Sequence, residues 1–338
     1  MLLAANSLAH FFVDGLCAAA LFGCVKGGDD FALMLVIYNT LAFSTQCFVG
    51  LCADRYGRHS ICASASMLLV AIGALIPAGN IIKVVMVGLG NSVFHVAGGA
   101  MTLKNSEGRA WHLGVFVAPG CLGLTLGTLW PRLVMAFAAG IVICAVAVLA
   151  LSRGKNRDAQ EKKKTSPAGG SSVILPAVFL TCAVAVRAIG GSAVSFSWKS
   201  GAPAVVLMTA AVFLGKTLGG FVCDRLGCKS TAVLSVLPAA LLLAFFTDSM
   251  ALSLLGLFAL NLTMPVTLWL LYRVMPDSPG FAFGAAASAL WPGTLIGQLF
   301  ALTGPALWAC IILSFGFGLW AILWSSGKIF SLKGERVK

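Results

Sequence analysis

Charge is what this sequence has least of. Asp, Glu, Lys and Arg make up 10% of its 338 residues, and the acids number 11 against 23 bases. Soluble globular chains carry about 25% charged residues. A folded core cannot be wrapped in a water-compatible surface from this composition, so the chain belongs in a bilayer. Motifs are missing too. No C-x-x-C occurs among the 11 cysteines, which are spread through the apolar stretches. That spacing excludes a disulfide framework or a cysteine zinc site and leaves the thiols as small packing groups. Neither HExxH nor GxSxG is present, so the common hydrolase constellations are absent as well. No motif calls for a cofactor.

The bases that are present give a net charge of +12. They are not interleaved with aromatics, which argues against nucleic acid as a partner. They are distributed as membrane proteins distribute them. A spanning helix needs about 20 mostly apolar residues. Cutting at polar, Gly and Pro clusters predicts spans over 3–25, 31–52, 60–78, 81–103, 110–130, 132–152, 173–192, 202–223, 230–247, 250–272, 280–302 and 305–326. With the N-terminus inside, the inner loops and tail hold 17 Lys and Arg, and the outer loops hold Lys26, Arg132 and Lys199. This asymmetry predicts twelve spans with both termini inside. The N-terminal stretch lacks a basic start and carries His10 and Asp14, so it reads as a retained first span.

The chain divides in the middle. Residues 153–172 are charged and then Gly/Ser/Pro-rich, the composition of a flexible linker between bundles 1–152 and 173–326, with a tail over 327–338. Each half contains the same charged segment: "GLCADRYGRHS" from Gly50 and "GFVCDRLGCKS" from Gly220. The fold expected is therefore an all-α membrane protein of two pseudo-symmetric six-helix bundles. Parallel repeats of this kind occur in transporters.

The repeated segment resembles the loop signature of the major facilitator superfamily, G-x-x-x-D-R-x-G-R-[KR]. Gly50, Asp54, Arg55, Gly57 and Arg58 match it, with His59 in the last position. The second copy keeps Gly220, Asp224, Arg225, Gly227 and Lys229, with Cys228 in place of Arg. The resemblance implies a gate that switches between inward and outward states. Gly114, Pro119 and Gly123 of span 5 resemble the antiporter signature of proton-linked exporters, with Ala118 and Leu124 departing from it. Span 11 repeats the theme with Pro292, Gly293 and Gly297. These small residues are also what close helix packing requires. His10, Asp14, Asn91, Phe94 and His95 resemble the fosmidomycin-resistance-like branch. At the position of the superfamily's usual basic residue on span 4 stands Val84, with Lys83 beside it.

Ionisable groups inside a membrane are costly and mark candidate sites. Asn6, His10 and Asp14 are spaced four apart on span 1 and share a face, as do Asn91 and His95 on span 4. Arg187 and Lys216 lie in spans 7 and 8, and the membrane core of the second half holds no acid to pair with them. The resemblance implies that spans 1, 4, 7 and 10 line a central cavity, to which span 10 would add Asn261, Thr263, Thr267 and Trp269. The expectation is a secondary active transporter of a small organic anion by alternating access. Asp14 and His10 would be its proton-coupling pair and Arg187 the anion clamp. Lys216 is left between two roles, substrate binding and gating. Two alternatives share the fold: a transition-metal carrier built on His10, Asp14 and His95, and a lipid flippase. The partners expected are solute, proton and lipid, for a monomer that crosses a bacterial inner membrane several times.

Overall fold

The computed structural model describes residues 1–152 and 174–332. The linker predicted at 153–172 and the last six tail residues lie outside the described residues. Within them the chain is built of helices joined by short turns, with no strand. The helices are α1 (Leu2–Ala20), α2 (Phe31–Asn39), α3 (Gln46–Tyr56), α4 (His59–Leu75), α5 (Asn80–Lys104), α6 (Trp111–Leu129) and α7 (Val134–Ser152). The second half holds α8 (Ile174–Ala193), α9 (Gly201–Leu226), α10 (Cys228–Phe245), α11 (Met250–Val274), α12 (Pro279–Leu299) and α13 (Gly304–Leu332). A π turn over Thr40–Ser44 joins α2 to α3 in one rod, Phe31–Tyr56. The last helix continues past 326, where the sequence reading began a tail.

Among the described residues, ten helical segments are long and apolar enough to cross a membrane. α4, at 17 residues, is shorter, and α12, interrupted by Gly, Ser and Pro, is not among the ten. Side chains that a soluble fold would hide point outward. Phe48, Ile143 and Leu313 are each about 70% exposed, a surface suited to lipid.

Packing repeats between the halves. α1 lies against α6 and α7, and α4 against α5 and α7. Their counterparts follow the same plan, with α8 against α12 and α13, and α10 against α11 and α13. The halves meet through two related seams, α3 with α12 and α6 with α9. Glycine makes both seams possible. A Cβ at Gly114 would lie 2.5 Å from the Lys216 carbonyl oxygen, and one at Gly220 would lie 2.5 Å from Trp111 Cα. At Gly284 and Gly50 it would strike the Gln46 and Gly280 carbonyl groups. The other glycines of the two small-residue motifs work inside the halves. Gly123 faces the Phe11 carbonyl, Gly297 faces that of Ile189, and Pro119 and Pro292 sit within α6 and α12.

Candidate functional site: a cavity between the halves with two carboxylate caps at one end

The duplicated segment is mostly helix rather than loop. Gly50, Asp54 and Arg55 end α3, and Gly220, Asp224 and Arg225 end α9. The turns themselves are short, and they hinge on Gly57 at φ 67° and Gly227 at φ 82°, a region that costs glycine little. Helical geometry then explains the first glycine and the aspartate. Four residues apart, they share a face. On α3 that face meets the start of α12, and on α9 it meets the start of α6.

Each aspartate caps the helix it meets. The Asp54 carboxylate accepts the backbone N–H of Gly280 at 2.9 Å and of Phe281 at 2.8 Å. Asp224 accepts those of Ala110 at 2.8 Å and Trp111 at 3.0 Å. First-turn amides have no acceptor within their own helix, and helix N-termini favour negative charge. Asp54 is the better shielded of the two, and His59 Nε2 stands 3.8 Å from its Oδ1. Arg55, Arg58 and Arg225 are exposed, and Lys229 is half-buried. Both aspartates thus take helix ends as partners.

Between the halves lies a cavity of about 170 Å³. Its polar wall is made by His10 and Asp14 of α1, Gln46 of α3, His95 of α5, Arg187 of α8 and Lys216 of α9. Val117, Met264, Leu268 and Phe283 are among the apolar groups that complete it. Lys216 thus faces the cavity with its side chain, while its backbone carries the seam against Gly114.

One wall is a cluster. Asp14 Oδ2 is 3.2 Å from His10 Nε2, Asp14 Oδ1 is 3.5 Å from His95 Nε2, and Asn91 Nδ2 donates to Asp14 Oδ1 at 3.1 Å. His10 Nδ1 lies 2.8 Å from the Phe116 carbonyl oxygen, and His95 Nδ1 lies 2.9 Å from that of Asn91. A carbonyl offers only lone pairs, so each Nδ1 carries its hydrogen. Both Nε2 atoms are therefore turned to Asp14 with either a lone pair or a second proton. Room for this arrangement comes from Gly120 of α6, where a Cβ would collide with Asp14 Oδ2 and His10 Nε2.

The second half contributes the cavity's cations, Arg187 and Lys216. Arg187 Nη1 donates to Thr263 Oγ1 at 2.5 Å and Thr267 Oγ1 at 3.4 Å. Among the described residues, no carboxylate forms an ion pair with Arg187 or Lys216.

Three expected binding residues stand elsewhere. Asn6 is fully buried on α1 outside the cavity lining, with neither side-chain polar atom hydrogen-bonded. Asn261 donates to the Leu257 carbonyl and packs on Gly215. Trp269 donates to the Gly108 carbonyl at 3.1 Å and lies under Arg273, at the capped end. Asn91 reaches the site through Asp14. Gln46 and Gly120 were not singled out in the sequence for the site. An isolated Gln and a Gly beside a Pro carry no signal of their own there.

No protein-family model and no curated protein matches the sequence. Solved structures do match the fold. A point variant of the E. coli fucose:proton symporter FucP superposes with a TM-score of 0.65 at 11% identity, over 96% of this chain and 97% of that one. FucP in the outward conformation, described as a major facilitator superfamily transporter, gives a TM-score of 0.65 at 11% identity, over 96% and 98%. At this identity the likeness establishes the fold alone, the one seen in these two transporter structures.

Proposed function

We propose that the chain is a twelve-span secondary active transporter that moves a small organic anion by alternating access, coupled to protons. Both termini would face the cytoplasm, in a bacterial inner membrane. The observation that carries this reading is the cavity's charge arrangement: two cations without carboxylate partners face a carboxylate–imidazole cluster across the interface of two repeated bundles. Unpaired cations away from water are expensive. A solute carboxylate or phosphonate removes that cost, and the planar Arg187 fork, oriented by Thr263 and Thr267, suits either group.

Asp14 and His10 are the proposed proton site. An anion entering beside Asp14 raises the carboxylate's affinity for a proton, so binding takes a proton up. This is the co-transport sense, the one in FucP's own description as a symporter. The α6 motif around Gly114, Pro119 and Gly123 favours the other sense, exchange with efflux. Asp54 and Asp224 act as gate latches. They close the end that bears the basic loops, so in the proposed topology the conformer faces outward.

Proton uptake or release by the purified protein on adding candidate anions tests this. Wild type takes up protons, Asp14→Asn abolishes the exchange, and Arg187→Ala abolishes anion binding. Proton release instead of uptake would establish exchange. Unaltered coupling in Asp14→Asn would remove the carboxylate from the mechanism.

A further inference from the structure

The cluster on the anionic wall has a second chemistry. We propose that His10, Asp14 and His95 form a binding site for a divalent first-row transition-metal ion, ligated by the two Nε2 atoms and the Asp14 carboxylate. The three ligand atoms lie within 4.8 Å of one another. Imidazole and carboxylate sit about 2.0–2.2 Å from zinc, so ligand atoms on one ion are separated by up to about twice that distance. The two histidine–carboxylate contacts, 3.2 Å to Oδ2 and 3.5 Å to Oδ1, lie within this limit, while the 4.8 Å span of the set is slightly wider, so the ligands draw in on binding.

Orientation is the stronger argument. A ligating histidine ordinarily gives its other N–H to a carbonyl or carboxylate, which fixes the tautomer and aims the ring. Both histidines do so, through Phe116 and Asn91. The carboxylate is itself oriented by the Asn91 amide. His10 and Asp14 are one turn apart on α1 and His95 comes from α5, so three ligands converge from two packed helices. All three line the cavity, which leaves the remaining coordination positions open to water or a solute. Two imidazoles and one carboxylate with open positions suit zinc, cobalt, nickel or ferrous iron better than calcium or magnesium. Arg187 and Lys216 disfavour a bare dication nearby and favour one whose shell is completed by an anion. The ion takes the same lone pairs as the coupling proton, so it competes with that proton.

Metal binding by purified protein does not depend on the transport reading. Cobalt(II) is the probe. The full chain in detergent takes up one ion with a visible ligand-field spectrum and no thiolate charge-transfer band. His95→Ala and Asp14→Ala lose the spectrum, Asn91→Ala weakens binding by about 10–100-fold, and His112→Ala retains it. X-ray absorption on the wild-type complex shows imidazole scattering and no sulfur, which decides the matter even if a variant fails to fold. Absence of cobalt binding, sulfur ligation by the cysteines, or an unchanged spectrum in His95→Ala overturns the proposal. Cobalt bound in this way by a protein that moves no anion would refute the transport reading alone.

Discussion

Replacing Asp54 by Asn tests whether the carboxylate caps hold the two halves together. The native carboxylate takes two backbone N–H groups of α12 at 2.9 Å and 2.8 Å. Hydrogen bonds to a charged group contribute about 1.5–3 kcal/mol each, and a helix N-terminus adds about 0.3–1 kcal/mol for the charge. An Asn keeps one acceptor oxygen and turns its NH₂ toward the other amide. One charge-assisted bond and the charge itself are lost, and water refills part of the gap. The net cost to the capped state is about 2 kcal/mol, close to a 30-fold shift in its population. Amide hydrogen exchange reads this directly, because the Gly280 and Phe281 N–H groups have no acceptor within α12. Their protection should fall about 30-fold in Asp54→Asn. Protection at Ala110 and Trp111, capped by Asp224 in the other seam, should fall with it if the halves rock as rigid bodies. Unchanged protection at Gly280 and Phe281 would refute the latch. Loss confined to those two amides would refute rigid rocking.

Other outcomes follow from the same geometry. Asp224→Asn should have the smaller effect on all four amides, because Asp224 is the more exposed carboxylate. Gly123→Val should lower the thermal stability of the detergent-solubilised protein sharply, since a Cβ there meets the Phe11 carbonyl. Gly316→Ala should leave it unchanged, because nothing lies within 4 Å of its Cβ position. Arg187→Lys should retain part of the anion affinity that Arg187→Ala loses, keeping the charge but not the fork held by Thr263 and Thr267; equal loss in both would assign the binding to geometry alone. Trp269→Phe should cost about 1 kcal/mol of stability by removing the donor to Gly108, measured by denaturation, and should leave anion affinity intact.

Much of this was legible in the sequence because apolar length and basic loops are strong signals in a chain with so little charge. The duplicated segment showed that the chain is built from two similar halves. His10, Asp14 and His95 could be picked out because titratable groups are rare in spans, and helical spacing put the first two on one face. The caps' partners could not be read. Gly280, Phe281, Ala110 and Trp111 contribute backbone amides, which leave no trace in side-chain identity. Placement on α11 failed for a related reason. Asn261 and Trp269 are polar enough to suit a cavity wall, but their hydrogen bonds go elsewhere, to a carbonyl one turn back for Asn261 and to the Gly108 loop of the first half for Trp269. Whether a polar group faces a cavity or a neighbouring carbonyl depends on helix rotation, which the repeated pattern left open.

The seams between the halves are lined by glycine against backbone. Gly50, Gly114, Gly220 and Gly284 each bring one helix onto another's main chain. Interdigitated side chains would have to find compatible rotamers each time such a surface parted and closed. Glycine on backbone has no rotamers to search, so at these four contacts a seam parts and closes with less side-chain repacking. If the halves rock, the carboxylate caps act as a detent on the closed seam, so how long it stays closed and how readily it re-forms depend on separate residues.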